Sequence, residues 1–275
     1  MINILYCGNK KAFDGILIST LSLIKHTKEP LKIHLATMDL TEIKASHTPL
    51  TREHADYLAN AMKAVNSDSE VELFDITDLF LQHMSDNPNM DSFYTPYCLL
   101  RLFSDLIEGF PQKMLYLDTD TVINADISEL YATNLNGFEF AAVEDYLGKT
   151  FKHRGYINSG VLLMNLPAIR KTKLFERTRI ACKTKKMWFP DQDALNSYVR
   201  KKKMLDAKFN EQHKLKKDTV IRHFSKTIKW LPFYHTQNIK PWEVEKIHKT
   251  MKLFVFDDIL LDYKQRKSKR PDLFL

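Results

Sequence analysis

The first half of the chain alternates between short apolar runs and longer segments whose apolar residues recur at helical spacing. The apolar runs have the length and composition of buried strands, and they cover residues 2–7 (INILYC), 31–37 (LKIHLAT), 71–76 (VELFDI) and 113–118 (KMLYLD). The helical segments lie between them, at residues 13–27, 51–66 and 97–107. Because alternating strands and helices pack as a sheet covered on both faces, this order predicts an α/β fold with a mostly parallel central sheet flanked by helices.

The pattern becomes less regular beyond residue 137. Short strands are predicted at residues 138–145 (FEFAAVED), 156–166 (YINSGVLLMNL) and 218–225 (DTVIRHFS), with helices from about Ala168 and at residues 191–202. No internal repeat or low-complexity linker interrupts the chain. We therefore predict one domain over residues 1–225 and a basic, aromatic and helical extension, residues 226–275, packed on it.

Composition places the chain among globular proteins. Hydrophobic residues make up 44% and charged residues 27%, and no apolar run approaches the roughly 18 residues that a membrane span requires. The N-terminal residues MINILYCGN enter a predicted strand directly, without the basic and apolar regions of a signal peptide. The three cysteines are far apart and lack CxxC spacing, which argues against a disulfide framework or a zinc knuckle. A cytoplasmic location is the expectation.

Charge is distributed unevenly along the chain. Residues 1–150 carry a net charge of −11 and residues 151–275 carry +18, which suits the first part to cations and the second to anions. Such basic runs form either a solvated face or a surface for an anionic membrane or an acidic acceptor. No nucleic-acid recognition motif accompanies the charge, so no nucleic acid partner is expected.

Residues 115–123 (LYLDTDTVI) place two carboxylates, Asp118 and Asp120, at the end of a predicted buried strand. Parallel sheets bind ligands at the carboxyl ends of their strands, and paired carboxylates there hold a metal, share a proton or cap a turn. The chain has seven glycines and lacks both GxGxxG and GxxxxGK[ST]. A phosphorylated ligand would therefore be balanced by metal, Lys and Arg rather than by a glycine-rich loop.

One enzyme class with a similar string is the haloacid-dehalogenase-like phosphatases. LDTDTV resembles their nucleophile motif DxDx[TV], and LFVFDD, with Asp257 and Asp258, resembles their late acidic motif. That resemblance implies that Asp118 attacks phosphorus, that Asp120 acts as acid and base, and that Mg²⁺ lies between them. In that class the first motif usually opens the fold, whereas several predicted strands precede Asp118 here.

The chain also resembles glycosyltransferase family 8, which contains retaining enzymes such as lipopolysaccharide galactosyl- and glucosyltransferases and glycogenin. The resemblance covers residues 2 to about 230 and rests on the ordered motifs ILYCGN, YCLLRLF, LYLDTDTVI, AAVED, INSGVLLMNL, DQDALN and IRHFSKTIKW. It implies a GT-A fold, which is a single Rossmann-like nucleotide-sugar-binding domain. The combination of motifs is more specific than any one of them.

The resemblance implies a role for particular residues in donor binding. For the base and ribose they are Tyr6, Cys7, Gly8, Asn9 and the backbone of Thr119. For the phosphates they are Arg101 and Lys229, and for the transferred sugar they are Asp145, Asn158 and Ser159 with the floor residue Gly160. The family often has Asp where Asn9 stands, which changes the uracil contact.

The resemblance also implies a metal site and a catalytic pair. Asp118, Asp120 and His223 would bind Mn²⁺ or Mg²⁺, and Asp191 and Gln192 would face the sugar near its anomeric carbon. The motif after His223 departs from the family, because Lys226 replaces a glycine and Trp230 a proline. A second Lys-Pro-Trp follows at Lys240, so either Lys229 or Lys240 could reach the diphosphate; the motif favours Lys229.

The resemblance thus implies a retaining transferase that moves galactose or glucose from UDP-hexose to a glycan or lipid-linked acceptor, in synthesis of cell-surface polysaccharide or glycoconjugate. The basic C-terminal part would allow peripheral contact with an anionic membrane. Two alternatives remain open at this point: the Mg²⁺-dependent phosphatase, and a binding module that kept the sugar-nucleotide fold without turnover.

Overall fold

The computed structural model describes residues 1–90, 95–229 and 235–274, except for the side chain of Lys229. Its strands are β1 (Ile2–Cys7), β2 (Leu31–Thr37), β3 (Glu70–Asp75), β4 (Lys113–Leu117), β5 (Thr121–Ile123), β6 (Phe140–Glu144), β7 (Ile157–Asn165), β8 (Lys202–Met204), β9 (Ile221–His223), β10 (Thr227–Lys229) and β11 (His235–Gln237). Within these ranges, seven strands form the central sheet in the order β3-β2-β1-β4-β7-β6-β8. Strand β7 is antiparallel to both neighbours, and the other pairs are parallel. The predicted mostly parallel sheet is confirmed.

The helices lie on both faces of this sheet. They are α1 (Phe13–His26), α2 (Arg52–Lys63), α3 (Thr77–Met84), α4 (Ser128–Ala132), α5 (Gly148–Phe151), α6 (Leu166–Thr172), α7 (Leu174–Thr184), α8 (Pro190–Tyr198), α9 (Val244–Lys246) and α10 (Asp257–Lys269). None of the helices in the described parts of the chain has both the length and the apolar character needed to cross a membrane.

Alternation along β1 shows how the two faces are filled. Ile4 and Tyr6 point into one apolar core with α1, α2 and α10, whereas Leu5 and Cys7 point into a second core with α7 and α8. Burial of each large apolar side chain contributes about 1.5–3 kcal/mol. Both faces of β1 are therefore covered, which explains its continuous run of apolar residues.

The segment predicted as a helix at residues 97–107 is instead a 3₁₀ helix, Pro96–Phe103, followed by turns. Side chains compete with the α-helical pattern there, because Arg101 Nε donates to the Cys98 carbonyl and Ser104 Oγ to the Arg101 carbonyl. The result is a compact segment that directs Arg101 toward the sheet.

Residues of the C-terminal part pack against the first core. Val244, Phe256 and Leu260 belong to the same apolar cluster as β1 and α1. Tyr263 in α10 donates a 2.5 Å hydrogen bond to Asp14 in α1. The division of the chain near residue 225 stays a prediction.

Candidate active site

A cavity of about 660 Å³ opens at the carboxyl ends of β1 and β4. Cys7 ends β1, Asp118 follows β4, and Asp145 follows β6. Because β7 runs in the opposite direction, its first residues, Asn158 and Ser159, lie at the same edge of the sheet. The topology thus gathers polar residues from four strands around one cavity, as expected for a ligand site in such a sheet.

Three side chains in the cavity form a cluster suited to a cation. One ligand atom each from Asp118, Asp120 and His223 lies within 4.8 Å of the others. His223 Nε2 is 3.1 Å from Asp120 Oδ1 and 3.6 Å from Asp118 Oδ2. The short antiparallel pairing of β5 with β9 creates this proximity, since it sets His223 opposite Thr121. Two carboxylates and one imidazole fit Mn²⁺ or Mg²⁺ with further oxygen ligands.

Gly160 has no side chain, which leaves room for His223 and Asp118 to lie close together. A Cβ built at this position would overlap the His223 ring and lie 2.7 Å from Asp118 Oδ2. The carbonyl of Gly160 also accepts a 2.7 Å hydrogen bond from the Asp118 N–H. A side chain at residue 160 would therefore push His223 away from the carboxylates.

Asn210 fixes the orientation of the His223 ring. Asn210 Nδ2 donates to Asn158 Oδ1 at 2.9 Å, so its amide oxygen faces His223 Nδ1 at 3.0 Å. In the neutral ring the proton then sits on Nδ1, and Nε2 keeps its lone pair toward the two carboxylates. Asn210 also joins the cation cluster to the sugar end of the cavity, because Asn158 Nδ2 donates to Asp145.

Basic side chains hold both carboxylates of the cluster. Arg101 Nη2 donates to Asp118 Oδ1 at 2.9 Å, and Lys240 Nζ lies 2.5 Å from Asp120 Oδ2. Burial disfavours the charge on Asp120, but Lys240 and then His223 outweigh it and hold the pKa of Asp120 well below its usual range. Asp120 is therefore ionised and available to a cation at neutral pH.

Tyr116 supports Asp118 from the preceding strand. Its hydroxyl donates a 2.6 Å hydrogen bond to Asp118 Oδ1, and its ring stacks under the Arg101 guanidinium, 3.9 Å away. Burial raises the pKa of Tyr116 well above its ordinary value, so the hydroxyl stays protonated and remains a donor. Asp118 Oδ1 is thus occupied by two donors, which leaves Oδ2 for a ligand.

A connected hydrogen-bond network lies at the end of the cavity where the resemblance places the transferred sugar. Asp145 accepts from the N–H groups of Leu147 and Gly148 and from Gln192 Nε2. The two residues at the start of α8 both bind Ser159: Gln192 Oε1 accepts its N–H and Asp191 Oδ2 accepts its hydroxyl. Side chains held in this way are preorganised donors and acceptors for the hydroxyl groups of a sugar.

Tyr6 and Cys7, both expected to contact the nucleotide, lie on opposite faces of strand β1, and only one of these faces is turned to the cavity. Cys7, Gly8, Asn9 and Thr119 line the cavity. Tyr6 does not line the cavity in the described structure; it is fully buried in the first core, where its hydroxyl binds Ser19 at 2.7 Å. The expectation for Tyr6 is corrected, because neighbouring residues of a strand point to opposite faces and Cys7 takes the cavity side.

Of the two lysines proposed to bind the diphosphate, Lys229 and Lys240, the side chain of Lys240 has a described position. The side chain of Lys229, like residue Trp230, lies outside the described part of the structure. Lys240 lines the cavity beside Asp120 and also donates to the Phe224 carbonyl at 3.2 Å. Lys240 is therefore the phosphate candidate with a described position at the cluster.

Sequence reasoning missed two residues that act on the cluster. Tyr116 could have been found, since it precedes Asp118 by two residues and shares its strand face. Asn210 precedes His223 by 13 residues in a segment without regular pattern, and only the three-dimensional contact identifies it.

Comparisons with known proteins identify the family of this chain. The model of Glycosyl transferase family 8 matches residues 3–246. The chain belongs to this family. Among curated relatives, lipopolysaccharide 1,2-glucosyltransferase of Escherichia coli K12 is 29% identical over 173 residues, which are 56% of this chain and 51% of that protein. Glycosyltransferase GlyB of Streptococcus pneumoniae is 30% identical over 54% of this chain and 39% of its own length. The chain thus matches about half or less of the length of these two relatives.

Solved structures confirm the fold. The galactosyltransferase LgtC, crystallised with donor and acceptor sugar analogues, superposes with a TM-score of 0.71 at 14% identity, over 95% of this chain and 96% of that chain. The glycosyltransferase GlyE of Streptococcus pneumoniae gives 0.60 at 19% identity, over 97% of this chain and 64% of its own. The predicted GT-A architecture of family 8 is therefore confirmed.

Proposed function

We propose that this family 8 protein is a retaining glycosyltransferase that moves galactose or glucose from UDP-hexose to a glycan or lipid-linked acceptor. The observation that carries the proposal is the placement of the cation cluster and the sugar network in one cavity. His223 belongs to the cation cluster. Hydrogen bonds through Asn210 and Asn158 connect it to Asp145 in the sugar network. This arrangement supports binding of a diphosphate and a sugar side by side.

Asp118, Asp120 and His223 would hold Mn²⁺ or Mg²⁺, which supplies positive charge for the departing nucleoside diphosphate. Arg101 holds Asp118 in place, because each of its three guanidinium nitrogens donates one hydrogen bond, to the Asp118 carboxylate, the Ser159 carbonyl and the Cys98 carbonyl. Lys240 is the basic residue placed to bind a diphosphate oxygen by a charge-assisted hydrogen bond.

The contacts of Gln192 support a front-face route for retention. A double displacement requires a nucleophile on the far face of the sugar. Gln192 Oε1 already accepts the Ser159 N–H at 3.0 Å, and Asp191 is buried and bound to Ser159. Both side chains are engaged with Ser159, and the Gln192 amide is a weak nucleophile, so we assign both residues to positioning the sugar while the departing phosphate oxygen takes the acceptor proton.

The phosphatase alternative gains no support from the positions of its late acidic motif. Asp258 pairs with Lys25 at 2.5 Å and Asp257 with His248 at 2.6 Å, at exposed positions on α10. Neither residue lines the cavity that contains Asp118 in the described structure. The non-catalytic alternative stays as an outcome of the experiment below.

We also propose a class of product and a location for the protein. Two relatives named as lipopolysaccharide transferases favour a cell-surface glycoconjugate as product. We extend this to a cytoplasmic protein in peripheral contact with an anionic membrane through the C-terminal part. There α10 carries Arg266, Lys267 and Lys269 in its last turn, and Phe254 and Leu261 are exposed.

Release of UDP from UDP-glucose and UDP-galactose, with Mn²⁺ and with a panel of oligosaccharide acceptors, tests the proposal. We expect UDP release from one of the two sugars, slow without acceptor and faster with it, and an α-configured product by NMR when the donor is α-configured. Hydrolysis of a phosphate monoester that disappears in Asp118→Asn would favour the phosphatase. UDP binding without any turnover across the panel would favour the inert module.

A further inference from the structure

A second cavity, of about 320 Å³, lies behind the cation cluster. Arg222 and His223 are consecutive in β9, so their side chains leave opposite faces of the strand. His223 lines the active-site cavity, and Arg222 lines the second one. Ser225 and Thr227 line both cavities, which makes the two spaces neighbours.

Arg222 differs from the other buried arginines of the described structure. Arg101 has Asp118 at 2.9 Å, and Arg179 has Asp105 at 2.5 Å. Arg222 is only 2% exposed, yet within the described ranges no carboxylate oxygen lies within 4.0 Å of its guanidinium. The adjacent Glu211 turns its carboxylate to Lys216, 2.8 Å away. Among the described residues, the positive charge of Arg222 is therefore buried without a carboxylate in direct contact.

Within the described ranges, the guanidinium of Arg222 donates one hydrogen bond. Nη1 donates to the Glu211 carbonyl at 2.7 Å, and the group lies 5.3 Å from the centroid of the Phe224 ring. A guanidinium carries five N–H donors in a fork that matches two oxygens of an oxyanion. Burial disfavours the charge of Arg222, which an arginine nevertheless keeps at neutral pH.

Other residues that line the second cavity are also suited to binding an oxyanion. Lys214 contributes an ammonium group at an exposed position, and hydroxyl groups come from Ser225, Thr227 and Thr250. Among the described residues that line this cavity, none is acidic. The residues of the wall thus offer two cations and three hydroxyl donors to a ligand.

We propose that this second cavity binds an oxyanionic group, phosphoryl or carboxylate, through the Arg222 guanidinium. Two kinds of ligand could supply this group to Arg222: an acceptor sugar that bears a phosphate or an acid, and a free anion. The shared wall at Ser225 and Thr227 places such a group next to the site of transfer. The acceptor part of this inference rests on the proposed glycosyltransferase activity, whereas the anion site itself does not.

Calorimetric titration with sulfate at constant ionic strength tests the site, with Mn²⁺ and excess UDP present to fill the donor cavity. Sulfate is a tetrahedral oxyanion that leaves Mn²⁺ in solution. We expect saturable binding to the wild type and a loss of about 30-fold or more in affinity for Arg222→Met. The control, Lys217→Met, removes one charge from an exposed position nearby and should bind within about twofold of wild type.

Circular dichroism checks that Arg222→Met is folded. If it is not, Arg222→Lys is measured instead. It keeps the charge and removes the fork, so we expect a loss of about tenfold. Absence of sulfate binding to the wild type, or equal affinities for the wild type and the Arg222 variants, overturns the proposal. The heat of UDP binding is measured separately, so failure of the proposed function is distinguished from failure of the anion site.

Glucose 6-sulfate, inorganic sulfate and glucose distinguish the two sources of the anion. Tighter binding of glucose 6-sulfate than of sulfate, with the difference lost in Arg222→Lys, identifies a group carried by a sugar acceptor. Equal affinity for the two anions identifies a free oxyanion as the ligand. Equal binding of neutral glucose to wild type and Arg222→Met, with no binding of either anion, contradicts an oxyanion site.

Discussion

Lys240 Nζ lies 2.5 Å from Asp120 Oδ2, so a lysine ammonium occupies one carboxylate of the cation cluster. A cation that binds Asp120 competes with this ammonium, and a diphosphate would draw Lys240 to its own oxygens. Lys240 is therefore placed to respond to both the metal and the nucleotide.

The Lys240→Met variant should bind Mn²⁺ about tenfold more tightly without nucleotide, because a competing positive charge is removed. Its turnover of UDP-hexose should fall about 10²-fold, since a donor to the departing phosphate is lost. Calorimetry and UDP release measure the two quantities. Lys246→Met, which removes an exposed lysine paired with Glu243, is the control. Unchanged Mn²⁺ affinity together with unchanged turnover would show that Lys240 has neither role.

Asn210→Ala should weaken Mn²⁺ binding by about 10- to 100-fold, because the His223 ring loses the acceptor that fixes its Nδ1 proton. Asn87→Ala is the matched control, as Asn87 is also buried but bonds to the Met84 carbonyl in another part of the fold. The control should lose stability without losing metal affinity. Equal metal affinity in both variants would refute the positioning role.

The Asp105–Arg179 pair should dominate stability away from the site, because both side chains are buried. Asp105→Ala leaves the Arg179 charge without a partner, and we expect a loss of about 3–5 kcal/mol in the free energy of unfolding. Asp56→Ala breaks the exposed pair with Arg52 and should cost less than about 1 kcal/mol. Urea denaturation compares the two variants, and similar losses would contradict the contrast drawn from burial.

His34 should make the protein less stable in mild acid. Burial lowers the pKa of His34 from 6.5 to about 4, so the unfolded chain takes up a proton that the folded chain resists. Stability should therefore fall as the pH decreases from about 6.5 to about 4, by at most about 1.4 kcal/mol per pH unit from this residue. His34→Gln retains a polar side chain opposite Asn3 and should flatten that slope in urea denaturation. An identical slope in the variant would assign the effect to other groups.

The sequence predicted those parts of the site that follow from strand order. Asp118 and Asp145 end apolar strands, so the sheet itself carries them to one edge. The motif places Tyr6 beside Cys7 in the site, but alternation along the strand turns the two side chains to opposite faces. The motif favours Lys229 over Lys240, since spacing along the chain does not reveal that residues after the β10–β11 hairpin return to Asp120. Asn210 and Arg222 depend on contacts between segments distant in sequence, which no local pattern encodes.

Calorimetric titration with UDP, in Mn²⁺ and then in EDTA, tests the central claim that Asp118, Asp120 and His223 form the metal-dependent nucleotide site. Wild type should bind UDP in Mn²⁺ and lose about 10²-fold or more of that affinity in EDTA, while Asp120→Asn should bind weakly in both. UDP affinity that is the same with and without metal, or the same in Asp120→Asn as in wild type, would contradict the account.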